Sequence, residues 1–376
     1  MKKLKVMTVV GTRPEIIRLS AIINLLNNSK SINHILVHTG QNYDYELNDI
    51  FFKNLNIQKP DYFLEAAESN AITTIGNIFI KIFPILTKEK PDAFLILGDT
   101  NSCLTAIAAK KMHIPIFHIE AGNRCFDQRV PEETNRKIVD HTADINLTYS
   151  NISRQYLISE GFPQDQVIKI GSPMFEVLNL HINDIKNSNI LNKLSLHKNK
   201  YFLVSIHREE NVNTSNFDKL IDSLNAISDI YKLPIIVSTH PRTRKILEQK
   251  KLHINNEIHF LKPMGFFDYN CLQLNSKAVL SDSGTISEES SILHFPALNL
   301  RESHERPEAM EEASVMMVGA NKERILQGLS ILESQKKDTL NTVKEYMVNN
   351  VSEKVIRIII SYTDYINQKV WHKSIN

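Results

Sequence analysis

PDAFLILGDTNSCLTAIAAKKMHIPIFHIEAGNRCFDQRVPEETNRKIVDH, residues Pro91 to His141, decides the fold. An apolar run, Ala93 to Leu97, stops at Gly98-Asp99-Thr100, and a run with helical spacing, Ser102 to Met112, follows. A second apolar run, Pro115 to Ile119, stops at Glu120-Ala121-Gly122. A polar loop then leads to the acidic pair in Pro131-Glu132-Glu133-Thr134-Asn135-Arg136. Strand, helix, strand is a parallel βαβ unit. In such sheets ligands bind beyond the carboxyl ends of the strands, where Asp99 and Glu120 both fall. The fold should bring these two carboxylates together, with Glu132 joining them from the loop. Taken singly, Asp99 reads equally well as a helix cap and Glu120 as a partner for a neighbouring amide. Three acids around one crevice point instead to acid–base chemistry.

The same grammar repeats on either side. Leu4 to Val10 is a strand whose exit turn is Gly11-Thr12-Arg13-Pro14-Glu15, and helical spacing follows from Ile16 to Leu26. Pro14 suits the first turn of a helix. Arg13 then stands at a helix N-terminus, a place for an anion such as phosphate, or else faces solvent. The turn is not GxGxxG, so no dinucleotide is indicated. Further strands are expected at Ile35 to Thr39, Ile145 to Thr148 and Val167 to Ile170, with helices at Ile72 to Lys88, bent at Pro84, and at Ser153 to Glu160. The domain boundary is placed at Gly171.

After the polar tract Asn183 to Lys200 a second alternating series begins. Strands at Tyr201 to Ile206, Pro234 to Ser238, Ala278 to Leu280 and Ala297 to Leu300 end in His207, His240, Ser281-Asp282-Ser283-Gly284-Thr285 and Arg301. Phe217 to Tyr231 and Ile286 to Leu293 are helical. Ser283, Gly284 and Thr285 open a helix directly after a strand and offer amides and hydroxyls to an anion; an N-cap serine is the plainer alternative. Glu288 and Glu289 follow, one turn into the helix, where a glutamate can accept from ribose hydroxyls. His207 and His240 follow strands and can bind phosphate or move a proton, although His240-Pro241 alone is also an ordinary turn. A last helix, Ser352 to Val370, is expected to pack back onto the first half. The expected domains are 1–171 with 352–376, and 172–351, both doubly wound α/β.

Composition narrows the class. A chain 42% hydrophobic and 23% charged is an ordinary globular protein. A formal charge of +2 without a Lys/Arg block argues against nucleic acid as partner. No run approaches a membrane span, and the apolar run Val6 to Val10 is too short for a signal peptide. Cys103, Cys125 and Cys271 form no CxxC pair, which suits a reducing cytoplasm without structural zinc. No metal site is expected, since the histidines lack HxxxH spacing.

Read together, Gly11-Thr12-Arg13-Pro14-Glu15, Gly98-Asp99-Thr100, Glu120-Ala121-Gly122, Pro131-Glu132-Glu133, His207-Arg208, Asp282-Ser283-Gly284 and Glu305-Arg306-Pro307-Glu308 resemble the non-hydrolysing UDP-N-acetylglucosamine 2-epimerases. The resemblance runs in order over nearly the whole chain. It implies the GT-B fold, two Rossmann-like domains facing a central cleft, and inversion of C2 of a UDP-2-acetamido sugar without any cofactor. It implies a catalytic set of Asp99, Glu120, Glu132 and His207, and a nucleotide-binding set of Arg13, Ser283, Gly284, Thr285, Glu289 and Arg306. Arg124 and His240 join the substrate-binding set, and a cytoplasmic homodimer is expected.

The sequence departs from that pattern in two places. Gln41-Asn42-Tyr43 stands where members activated by their own substrate carry Gln-His-Arg. The loop Asn123-Arg124-Cys125-Phe126-Asp127-Gln128-Arg129-Val130 replaces the usual Leu-Arg-Thr-Gly-Asp. It resembles the branch acting on UDP-2-acetamido-2,6-dideoxy-L-talose, which makes UDP-N-acetyl-L-fucosamine for capsule or O-antigen. A UDP-N-acetylglucosamine/UDP-N-acetylmannosamine epimerase and a GT-B glycosyltransferase are the alternatives.

Overall fold

The computed structural model describes residues 2–41, 51–206, 216–239, 243–244, 246–247, 250, 252–335 and 342–374. The chain forms two units, Met1–Asn179 with Met347–Asn376, and Leu180–Tyr346.

In the first unit β1 (Leu4–Val10), β2 (Ile32–His38), β3 (Tyr62–Phe63), β4 (Ala93–Leu97), β5 (Ile116–Ile119), β6 (Ile145–Thr148) and β7 (Val167–Lys169) pair in parallel in the order β3-β2-β1-β4-β5-β6-β7. Every residue of β4, β5 and β6 is buried. Such unbroken apolar runs suit a parallel sheet covered on both faces. The strand order reverses between β1 and β4, so the switch point lies between the turns that carry Arg13 and Asp99. Leu97 pairs with Ile119, so Asp99 and Glu120 leave neighbouring strand ends.

The second unit repeats the plan. β8 (Phe202–Ile206), β9 (Ile235–Thr239), β10 (Ile258–Leu261), β11 (Ala278–Ser281), β12 (Ala297–Asn299) and β13 (Met316–Met317) run parallel in the order β10-β9-β8-β11-β12-β13. Its switch point lies between β8 and β11, and Ser283-Gly284-Thr285 follows β11.

Several segments differ from expectation. Residues Pro131–Thr142 form a helix, not a loop: Pro131 starts it, and Glu132 and Glu133 in its first turn favour the positive end of the helix dipole. The helix after β4 opens as a 3-10 turn, Asn101–Leu104, and continues over Thr105–Lys111. Strands β3, β10 and β13 and the helices Phe266–Asn275 and Lys322–Ser334 were not anticipated. The three strands sit at or near sheet edges and are short, so they carry little apolar periodicity.

Among the described residues one helix, Ala71–Glu89, has by length and composition what it takes to cross a membrane, where the sequence reading expected no such run. It lies on the sheet instead, burying Thr74, Ile78, Ile82 and Leu86 at helical spacing, with Asn70 capping it through Thr73 N. The final helix, Val351–Lys369, belongs to the first unit and buries Val355, Ile359, Thr363 and Ile366 beside the helix Arg13–Asn28. Glu176 accepts from Ser352 N at 2.9 Å. This bond and the buried Met174, Val177 and Leu178 keep the chain with the first unit beyond Gly171, as far as Asn179.

Candidate active site

The turn after β1 is built around a buried acid. Glu15 accepts from Gly11 N at 2.6 Å, from Thr12 N at 2.7 Å and from the Thr100 hydroxyl, so it joins the exit turns of β1 and β4. Burial raises its pKa against these bonds, which lower it. A Cβ on Gly11 would lie 1.9 Å from Ser102 Oγ, so no side chain fits there. Arg13 is the first residue of the helix, half-buried, with its guanidinium 5.7 Å from the Phe51 ring centroid. The helix N-terminus and this cation together suit an anion.

Gly98 turns the chain out of β4 with φ +81°, and the Asp99 side chain remains 21% exposed. The helix Pro131–Thr142 docks on this turn. Asn135 Nδ2 donates to Asp99 O at 2.9 Å, and Arg136 Nε lies 2.7 Å from Asp99 Oδ2. Arg136 also reaches Glu133 Oε2 at 2.9 Å. Glu133 in turn accepts from the amides of Cys125 (3.1 Å) and Phe126 (3.2 Å). Of the acidic pair, Glu133 is the buried brace and Glu132 is the half-exposed member.

Glu120 has φ +70°, a left-handed conformation that costs a non-glycine residue about 1–3 kcal/mol. Its carboxylate is almost buried and pairs with Arg18. Tyr149 OH donates to Oε2 at 3.2 Å and Asn123 Nδ2 to Oε1 at 3.3 Å. Two residues on, Gly122 has φ +78°, and a Cβ there would meet Ser153 O at 2.3 Å.

In the second unit the Ser283 and Thr285 hydroxyls lie 2.9 Å apart, and Ser283, Gly284 and Thr285 are half-exposed. The helix Ile286–Leu293 follows them. The glutamate pair is not solvated: Glu288 is buried with Arg306 NH2 at 3.3 Å, and Glu289 accepts from Gln273 Nε2 at 2.6 Å. Burial would lower the Arg306 pKa, but Glu288, Tyr346, Glu308 and Glu305 outweigh it and raise it. Arg306 therefore braces the helix of the cradle. His207, His240, Asn42 and Tyr43 lie outside the described residues.

A family profile described as UDP-N-acetylglucosamine 2-epimerase matches residues 24–360. The chain belongs to this family. It is similar to the UDP-N-acetylglucosamine 2-epimerase from Rickettsia bellii, with 51% identity, 99% of this chain and 100% of that one covered, and a TM-score of 0.93. It is similar also to Methanocaldococcus jannaschii UDP-GlcNAc 2-epimerase, solved in complex with UDP-GlcNAc and UDP. There identity is 33%, the match covers 95% of this chain and 100% of that one, and the TM-score is 0.89. The Pseudomonas aeruginosa UDP-2,3-diacetamido-2,3-dideoxy-D-glucuronate 2-epimerase shares 31% identity over 328 residues, 86% of this chain and 91% of its own. The protein is thus a UDP-sugar 2-epimerase, an isomerase, with the two Rossmann-like units of the GT-B fold.

For this epimerase two residue assignments need correction: Arg306, expected in the nucleotide-binding set, is buried as the partner of Glu288. Arg124, expected to bind substrate, is fully buried. Its Nε and NH2 meet Glu160 at 2.8 and 2.6 Å, and its NH1 meets Asp140 Oδ2 at 2.7 Å and Asn123 O at 2.8 Å. Those bonds occupy the guanidinium fork, so Arg124 is a brace beneath the loop. Phe126, by contrast, is 68% exposed and meets the Tyr156 ring edge-on at 5.5 Å.

Sequence reasoning missed Arg18, Tyr149, Asn135 and Arg136. Arg18 carried a signal: Glu15, Arg18 and Ile22 stand at i, i+3, i+7 of the buried stripe, where charge is anomalous. Arg136 stands four residues after Glu132 and three after Glu133, ion-pair spacing on a helix, but only once the loop is recognised as one.

Proposed function

We propose that the enzyme inverts C2 of a UDP-2-acetamido sugar by eliminating UDP and adding it back, without hydrolysis. The observation that carries this reading is the setting of its three acids in one unit. Asp99 is paired with Arg136, Glu120 with Arg18 and Tyr149, and Glu132 stands half-exposed in the first turn of the helix. The C2 hydrogen has no adjacent carbonyl to acidify it. As the C1–O bond breaks, positive charge grows at C1 and acidifies C2–H. A carboxylate takes that proton, the C–H pair becomes the C1–C2 double bond of a 2-acetamidoglucal, and UDP leaves with the C1–O pair. Reprotonation on the other face and return of UDP to C1 complete the inversion. Hydrogen moves only as a proton, so the cycle balances without a redox cofactor. It needs acids and bases on both faces of one ring and positive charge for the departing diphosphate. Asp99, Glu120, Glu132 and His207 meet the first need. Arg13 and His240 meet the second, while Ser283, Gly284, Thr285 and Glu289 hold the nucleotide and Arg306 braces them.

For the hexose we propose UDP-2-acetamido-2,6-dideoxy-L-talose, interconverted with UDP-N-acetyl-L-fucosamine for a bacterial capsule or O-antigen. The loop Asn123 to Val130 supports this: Glu133 holds its backbone, and Phe126 is an exposed apolar side chain of the kind a methyl group would pack against. An apolar surface rejects an added hydroxyl by only about 10²-fold, so the larger discrimination comes from the L-configuration. UDP-N-acetylglucosamine is the second reading, favoured by the likeness to the UDP-N-acetylglucosamine 2-epimerase from Rickettsia bellii. Comparing kcat/KM for UDP-N-acetyl-L-fucosamine and UDP-N-acetylglucosamine on one preparation decides between them. The expected result is preference for the L-sugar; a preference for UDP-N-acetylglucosamine overturns the hexose and leaves the epimerase reading standing.

A further inference from the structure

His118 and Asp140 play no part in the chemistry above, yet both are buried, His118 in the sheet that carries it and Asp140 in the helix packed beside it. His118 sits in β5, paired with Ile96 of β4 and Asn146 of β6. A histidine buried in a central strand is costly unless its ring nitrogens are bonded. Its Nε2 donates to Gly98 O at 2.7 Å, which fixes a proton on that nitrogen because a carbonyl only accepts. Its Nδ1 lies 2.9 Å from Asp140 Oδ1. Asp140 comes from the helix Pro131–Thr142, and both its oxygens accept from Gly122 N at 3.2 Å. Arg124 NH1 closes the cluster on Oδ2. Burial would raise the Asp140 pKa, but His118 and Arg124 outweigh it and hold it below the usual carboxylate range.

Gly98 precedes Asp99, and Gly122 follows Glu120 by two residues; both glycines are in left-handed conformations, as is Glu120 itself. Glycine adopts such backbone freely, but at Glu120 it persists only where its surroundings over-determine it. We propose that His118 is a positioning residue for the reaction: with Asp140 it ties the Gly98 carbonyl to the Gly122 amide and so fixes the two turns that carry Asp99 and Glu120 relative to each other. This rests on the reading of Asp99 and Glu120 as catalytic. The anchor acts on the proton-transfer geometry and not on the nucleotide, which the other unit holds.

Two near-isosteric variants separate the arms of the anchor. In His118→Gln the amide nitrogen takes about the place of Nε2 and keeps the bond to Gly98 O. In His118→Asn it takes about the place of Nδ1, keeps Asp140 and loses Gly98. A displacement of about 1 Å in reacting groups costs on the order of 10²-fold, so His118→Asn should lower kcat by about that factor with KM and the UDP Kd near the parent values. His118→Gln, which loses Asp140, should lower kcat as well, again with KM and the UDP Kd near the parent values. Asp140→Asn still accepts from Gly122 N but leaves the buried Arg124 without one of its carboxylates, so it should lower the thermal midpoint together with kcat, and His118→Gln stands in if His118→Asn does not fold. Losses in the Gln and Asn variants that track a fall in thermal midpoint and move KM and the UDP Kd as much as kcat would reduce His118 to a packing residue and overturn the proposal, as would a normal kcat in either folded variant. Asp99→Asn assayed alongside keeps the two readings apart. Full activity there sinks the catalytic assignment, whereas an inactive Asp99→Asn beside a normal His118→Asn sinks only the anchor.

Discussion

We expect Asp99→Asn, Glu120→Gln and Glu132→Gln each to lower kcat by about 10²–10⁴-fold while UDP still binds. The three amides keep the size of the side chain but lose its charge, one acceptor oxygen and the capacity to take or give a proton. UDP affinity survives because Ser283, Thr285 and Glu289 belong to the other unit. The variants differ in stability for a reason visible at each carboxylate. Glu132 is half-exposed at the first turn of its helix, so Glu132→Gln lowers the thermal midpoint less than Glu120→Gln does. Glu120 is the partner of the buried Arg18, so Glu120→Gln leaves a buried cation without its counter-charge and lowers the midpoint as well as the rate. Kinetics, UDP titration and thermal melts on the three proteins check this. Near-parent rates in all three would remove the assigned constellation.

The largest stability effect belongs to Arg124→Met. Both partners of Arg124 are carboxylates, and Asp140 is fully buried. Removing one side of a buried pair costs about 3–5 kcal/mol, because the remaining charge stays buried without compensation. For a unit of this size that corresponds to a fall in thermal midpoint of roughly 6–20 °C. The KM of the enzyme that remains folded stays near the parent value, since the guanidinium does not face substrate. A stable variant with a raised KM would return Arg124 to the substrate-binding set.

What could be read from the sequence follows the physics of each segment. The strand-end acids were legible because β4 and β5 are unbroken apolar runs that stop abruptly at Asp99 and Glu120. The alternation of strands and helices fixed the doubly wound class, and the order of the motifs indicated the family. Edge strands such as β13, two residues long, have no periodicity to read. The helix Pro131–Thr142 was hidden because its residues are mostly polar; it is held by caps, dipole and the Arg136 ion pairs, not by an apolar stripe. The same polarity hid the distinction between Glu132 and Glu133, which depends on which carboxylate faces Arg136 and the amides of Cys125 and Phe126. Arg124 misled because an arginine in a loop beside a catalytic acid reads as a substrate contact. Its two carboxylate partners lie 16 and 36 positions away, and only the fold brings them to it.

Turnover in heavy water tests the central claim most directly. Elimination removes the C2 proton onto an enzyme base that exchanges with solvent before a proton returns to the opposite face. Product formed in D2O and examined by NMR should carry deuterium at C2. Product that retains its original hydrogen at C2 under full turnover would contradict the elimination and re-addition of UDP.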